Sequence, residues 1–180
     1  EPVYIGFGSM VSGDMGELAE IIRQAVKLSG VRAVVALGWG QQEAKTKDAN
    51  IFYVKSVPHD WLFPHMAGAV HHGGAGTTAT SLRHALPTLV VPFGGDQPFW
   101  AERVYAAGCG PKAIPRDKLT AENLADGLRA LISNPEYTRN AACIGEALRN
   151  EHGCANAADL IEKAVWDWEN GNPAQDGMNI

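Results

Sequence analysis

At 180 residues with a net charge of −5 and 46% hydrophobic residues, the chain is long enough to bury about 70% of its unfolded surface in one domain. Lys and Arg are not clustered, which argues against nucleic acid as a partner, because phosphate-backbone binding needs such clusters. No run of about 18 apolar residues and no basic start followed by an apolar region is present, so neither a membrane span nor a signal peptide is read. Cys109, Cys143 and Cys154 lack metal or disulfide spacing, which suits a reducing cytosol and a cytoplasmic location. The sequence opens on Glu1-Pro2 without Met, and the expectation is a piece of something larger.

Residues 3–8 are a short apolar run ending in glycines, the pattern of a buried parallel strand feeding a loop, with Ser9 just beyond. Asp14 and Glu17 read as a capping box for a helix in which Leu18, Ile21, Ile22, Ala25 and Val26 recur at helical spacing before Ser29-Gly30 stops it. Residues 31–37 read as a second strand, Gly38-Trp39-Gly40 as a turn, 41–50 as a polar loop with some helix, and 51–54 as a third strand. Pro58 and Pro64 bracket a short helix at 59–63, where Trp61, Leu62 and Phe63 read as core. Strands follow at 69–71, 88–91 and 111–114, with helices at 77–86 and from Pro98 to about 107 between them. Thr120 caps a helix with Leu124, Leu128, Leu131 and Ile132 on one face, and further helices are read from Pro135 to about 150 and over 155–168.

This alternation predicts a doubly wound α/β fold around a six-stranded parallel sheet of order 3-2-1-4-5-6. One domain is expected over residues 1–169, with a polar tail over 170–180. Ligands of such folds bind beyond the carboxyl ends of the strands where strand order reverses. Here that point lies between Gly8-Ser9 and the loop from His72 to Thr78.

The second of those loops, Ala69-Val70-His71-His72-Gly73-Gly74-Ala75-Gly76-Thr77-Thr78, reads as strand, glycine loop and helix start. That is the build of a phosphate site, since glycines let backbone approach an anion and a helix N-terminus offers free N–H groups and a positive dipole end. The spacing is neither a dinucleotide fingerprint nor a P-loop, and it also fits a tight strand-to-helix turn. His71 and His72, adjacent on a strand, point to opposite faces, which leaves His71 as a packed or hydrogen-bonded core histidine and disfavours a shared metal. Asp96-Gln97 before Pro98 has the look of helix capping.

Taken together, His71 to Thr78, Ala85-Leu86-Pro87-Thr88, Val91-Pro92-Phe93 and Gly95-Asp96-Gln97-Pro98-Phe99-Trp100 resemble the donor-sugar signature of UDP-glycosyltransferases. With residues 57–64, VPHDWLFP, ahead of them, the likeness is nearest to the sterol glucosyltransferase branch of that family. The resemblance implies the carboxyl-terminal half of a GT-B fold, holding a UDP-sugar while an acceptor domain on the same or another chain faces it. It implies diphosphate contacts from Ser9, His72, Gly74, Gly76, Thr77 and Thr78, and sugar contacts from Asp96 and Gln97, with no metal and no cofactor. Plant relatives are similar but carry tryptophan at the Ser56 position and glutamine at the His59 position, so base recognition here is left to the backbone near Val57 and His59. They also carry a ribose-holding glutamate at the Thr80 position, and Thr80 cannot accept both ribose hydroxyls as a carboxylate would. No catalytic residue is expected in this chain, because the family's general base and acceptor pocket lie in the other domain, to which any peripheral membrane contact is also left. The expected activity is glucose transfer from UDP-glucose to a sterol or similar lipophilic alcohol. The alternatives are a nucleotide-sugar-binding subunit completed by a separate chain, and an antibiotic or macrolide glycosyltransferase using a dTDP- or UDP-sugar.

Overall fold

The computed structural model describes residues 1–8, 15–36 and 48–171, so Ser9, Asp14, Trp39 and the polar stretch 41–47 lie outside the described residues. The chain divides into two compact units, Glu1–Leu148 and Arg149–Ile180. The second is carried by the helix Gly153–Glu169, which reaches one residue beyond the predicted end.

In the first unit, β1 (Val3–Gly6), β2 (Ala33–Ala36), β3 (Ile51–Val54), β4 (Gly68–His71) and β5 (Thr88–Val90) form one parallel sheet. Its order is β3-β2-β1-β4-β5, so the order reverses between β1 and β4. Successive side chains face opposite sides of the sheet. Val3, Ile5, Val70 and Leu89 point to one face and Tyr4, Val34 and Ala69 to the other. Both faces are buried, which is why these strands read as apolar runs rather than alternating ones.

On the first face lie α1 (Met15–Ser29) and α5 (Ala121–Ser133), whose Leu18, Ile22, Ala25, Val26, Leu124, Leu128 and Leu131 fill the core against the sheet. The predicted Thr120 cap is present: its hydroxyl accepts from the Asn123 amide at 3.3 Å and the Asn123 side chain accepts from the Thr120 amide at 2.9 Å. Ile132, expected on the same face, is 47% exposed; it stands 100° round the helix from Leu131, outside the buried stripe. On the second face, α2 (His59–Leu62) and the 3₁₀ turn Phe63–His65 bring Leu62 and Phe63 against Tyr4, Val34 and Ala69. Trp61, read as core, is exposed, because α2 is a single turn with only one inward face. Next to it, α3 (Ala75–Arg83), α4 (Gln97–Ala106) and α6 (Pro135–Asn150) enclose Leu82, Val90, Ala101, Val104, Cys109 and Ala141.

The sheet has five strands, not the six expected. Residues 111–114 run beside β5, and the amides of Ile114 and Arg116 donate to the carbonyls of Val90 and Pro92 at 3.1 and 3.0 Å. A parallel bridge between residues 91 and 114 would need the reciprocal bond from residue 92 to the Ile114 carbonyl. Pro92 has no N–H to give it. The segment is therefore strand-like in path without joining the ladder.

Leu128, fully buried between α5 and the sheet, should lose roughly 2–5 kcal/mol of folding stability on truncation to Ala. The Ile132→Ala change should stay within about 0.5 kcal/mol. Urea unfolding of the two variants checks the difference, and equal losses would contradict this placement of the core.

Candidate functional site

The carboxyl ends of β1 and β4 open on a cleft of about 230 Å³ lined by Tyr4, Gly6, Gly8, Ala36, Lys55, Ser56, Val57, His59, His72 and Thr77. It lies at the reversal of strand order, where doubly wound sheets take ligands.

The turn from β4 into α3 is held by a buried ring. The Gly73 amide donates to Nδ1 of His71 at 3.0 Å, so the imidazole carries its proton on Nε2. His71 is fully buried, as expected of a core histidine, and burial, with smaller contributions from His72 and His59, pushes its pKa down to about 3. Gly73 itself has φ of 91°, which favours glycine, and a Cβ there would lie 2.5 Å from Cγ1 of Val90 and 3.2 Å from the Gln97 carbonyl oxygen. The loop thus packs directly against the start of α4.

Beyond it, α3 starts at Ala75, two residues before the predicted 77, with Gly74 as N-cap and no side-chain capping bond. The first main-chain bond of the helix runs from the Thr78 amide to the Gly74 carbonyl at 2.9 Å. The amides of Ala75, Gly76 and Thr77 therefore have no acceptor within their own helix, and they carry the positive end of its dipole. Thr77 lines the cleft. Thr78 is buried and its hydroxyl donates back to the Gly74 carbonyl at 3.0 Å, so it turns into the helix. Thr80 does the same with the Gly76 carbonyl at 2.9 Å.

His72 lies between two glycines. A Cβ at Gly74 would sit 2.6 Å from its Nε2, and one at Gly8 would sit 3.4 Å from its Cε1. Its Nδ1 is buried without a hydrogen-bond partner among the described residues. Burial lowers its pKa, Asp96 opposes that, and His59 adds to it, so the ring is neutral at pH 7 but within reach of the Asp96 charge. The His71 and His72 rings stand 6.3 Å apart at 71°.

Asp96 and Gln97 occupy the neighbouring loop. Asp96 is exposed and makes no capping bond; its Oδ2 accepts instead from Nε1 of Trp100 at 2.8 Å. Gln97 is buried, with its Oε1 accepting from the amides of Phe93 and Gly94 at 2.7 and 3.2 Å. The helix-capping role is therefore absent: one side chain closes the loop and the other presents a carboxylate beside it. Val57 and His59 line the same cleft as Thr77, and Ser9 lies outside the described residues. Among the residues that sequence reasoning missed are Lys55, which lines the cleft, and Tyr4. Its ring lies along β1 over Gly6, where a Cβ would run into the ring and its hydroxyl, and it reaches the cleft. An aromatic residue two positions before a glycine on a short strand was the available signal.

This sheet, with a glycine loop and an uncapped helix start at its switch point, has the architecture of the carboxyl-terminal half of a GT-B glycosyltransferase. The solved glycotransferase of kitacinnamycin superposes with a TM-score of 0.74 at 25% identity, over 91% of this chain and 43% of that one. The glycosyltransferase VinC in complex with dTDP does so with a TM-score of 0.67 at 28% identity, over 83% and 38%. The family described as Erythromycin biosynthesis protein CIII-like, C-terminal domain, matches residues 20–161, and the chain belongs to it. Among curated relatives, a sterol 3-beta-glucosyltransferase of Arabidopsis thaliana is 44% identical over 164 residues, covering 90% of this chain. The chain spans about a quarter of that relative's length, 26%.

Unfolding returns His71 to its ordinary pKa of 6.5. Between pH 6.5 and about 3 the unfolded chain binds a proton that the folded chain refuses, so stability falls as pH falls. The slope from this one ring is about 1.4 kcal/mol per pH unit. A His71→Asn variant keeps an acceptor for the Gly73 amide without titrating. Between pH 6.5, where the unfolded ring is half protonated, and pH 5 it should lose about 1.6 kcal/mol less than the unsubstituted chain. Urea titrations at both pH values measure this, and identical losses would contradict the buried neutral ring.

Proposed function

We propose that this chain is the donor-binding half of an inverting glycosyltransferase that moves glucose from UDP-glucose to a hydroxyl of a sterol or similar lipophilic acceptor. The observation that carries the reading is the cleft at the ends of β1 and β4, where the uncapped first turn of α3 and His72 meet. The 44% identity to a plant sterol 3-beta-glucosyltransferase supports the acceptor class.

In this reading the diphosphate of the donor lies against the amides of Ala75, Gly76 and Thr77, the Thr77 hydroxyl and His72. As the bond from the anomeric carbon to the diphosphate breaks, negative charge grows on the leaving oxygens and these fixed donors meet it. Removal of one such donor typically costs about 10²–10³ in rate. The work falls to amides and an imidazole, with no metal assigned. Asp96, facing solvent with one carboxylate oxygen bonded to Trp100, accepts from sugar hydroxyls. The general base and the acceptor pocket are assigned to a partner domain, so the isolated chain should bind donor but transfer little sugar.

Calorimetry with UDP and UDP-glucose tests this. The chain should bind both, His72→Ala should weaken UDP by roughly tenfold or more, and Asp96→Ala should leave UDP unchanged while abolishing any preference for UDP-glucose. No binding at millimolar ligand would overturn the reading. A second reading, a dTDP-sugar donor, is favoured by the likeness to a glycosyltransferase solved with dTDP. Competition between UDP and dTDP separates the two.

A further inference from the structure

The geometry points to Tyr4 as a positioning residue that fixes His59 as a hydrogen-bond donor in the wall of the cleft, aimed at an acceptor atom of the nucleoside. The inference rests on the reading of the cleft as a nucleotide-diphosphate site, and it names the device that reads the part beyond the phosphates.

Tyr4, His59 and Phe63 form a three-ring box. The hydroxyl of Tyr4 lies 3.0 Å from Nε2 of His59. The imidazole stacks on Phe63 with centroids 4.5 Å apart at 13°, and Tyr4 meets both rings edge-on at 5.2 and 5.1 Å. Phe63 and Tyr4 are buried, so the imidazole plane is set by packing as well as by its hydrogen bond. Gly6 makes the arrangement fit, because any Cβ there would occupy the space of the Tyr4 ring.

The direction of that bond follows from how strongly each group donates and accepts. The Tyr4 hydroxyl has no other hydrogen-bond partner among the described residues. As a phenol O–H it is a stronger donor than a neutral imidazole N–H, and the imidazole nitrogen is a stronger acceptor than the phenol oxygen. It therefore donates to Nε2, and the neutral imidazole carries its proton on Nδ1. Burial keeps both partners in these forms, pushing Tyr4 up to about 12 and His59 below its ordinary value, against a smaller opposing pull from Asp60. The result is a ring with one nitrogen occupied and one N–H left to give, in a wall shared with Ser56 and Val57. Thr77 and His72 line the same cleft, so a ligand with its diphosphate there extends its nucleoside toward His59. A pyrimidine ring carbonyl or a ribose oxygen supplies the acceptor.

The test compares the unsubstituted chain with Tyr4→Phe, which keeps the ring and removes only the hydroxyl. UDP and inorganic diphosphate are titrated separately, and the ring nitrogens of His59 are followed by NMR without ligand. The unsubstituted chain should show the Nδ1–H form. Tyr4→Phe should lose that signature and bind UDP roughly tenfold more weakly, with its affinity for inorganic diphosphate unchanged. His59→Phe, which keeps the stack on Phe63, should weaken UDP to a similar degree, and combining the two changes should add little. The proposal is overturned if Tyr4→Phe binds UDP as tightly as the unsubstituted chain, if diphosphate weakens in parallel, or if the tautomer is the other one. Binding of neither ligand by the unsubstituted chain would instead sink the donor-site reading, and this proposal with it.

Discussion

Gly73 leaves β4 with its amide held on the buried Nδ1 of His71, and the rest of the cleft depends on that bond. It turns the chain sharply enough for α3 to start at Ala75, at the mouth of the sheet rather than beyond it. It also brings the loop against Gln97, whose side chain closes the next turn through the amides of Phe93 and Gly94. Two loops from two different strands are thereby fixed side by side. A neutral buried ring suits this task, since a charged one would carry a large desolvation cost in the same position.

Against that frame, the polar groups fall into two kinds. Some are turned inward and satisfied: the hydroxyls of Thr78 and Thr80 on main-chain carbonyls, and Gln97 Oε1 on two amides. Others are left facing outward: the first amides of α3, Thr77, and the free carboxylate oxygen of Asp96. The division is what a binding site for an anionic, hydroxyl-rich ligand needs. The inward groups give rigidity, so the outward ones do not have to reorganise when charge develops near them.

Much of the fold was legible in the residue pattern. Doubly buried strands leave unbroken apolar runs and α1 leaves a clean helical period, so the strands β1 to β5 and the sheet order were readable. What failed did so for local reasons. Residues 111–114 have strand composition, but the ladder also needs an N–H that Pro92 on the partner side lacks, and a single segment's pattern does not show its partner. Ile132 and Trp61 sit on helices whose apolar residues run slightly past the buried stripe. For the site, the glycine loop and Asp96-Gln97 stood out by motif, and the structure brings them into adjacent loops. Tyr4 was invisible because a tyrosine inside an apolar strand reads as core; only the glycine two residues later hints that its ring runs along the strand toward the cleft.

The central claim is that the uncapped start of α3 receives the diphosphate of a nucleotide. The most direct measurement is an amide NMR titration of this chain with UDP. The account predicts that the amides of Ala75, Gly76 and Thr77 move first and furthest, together with Gly8 and His72. It also predicts that the opposite end of the sheet, around Arg32, Asp48 and Phe52, stays still. Shifts confined to that opposite end, with the first turn of α3 unmoved at saturating ligand, would contradict it.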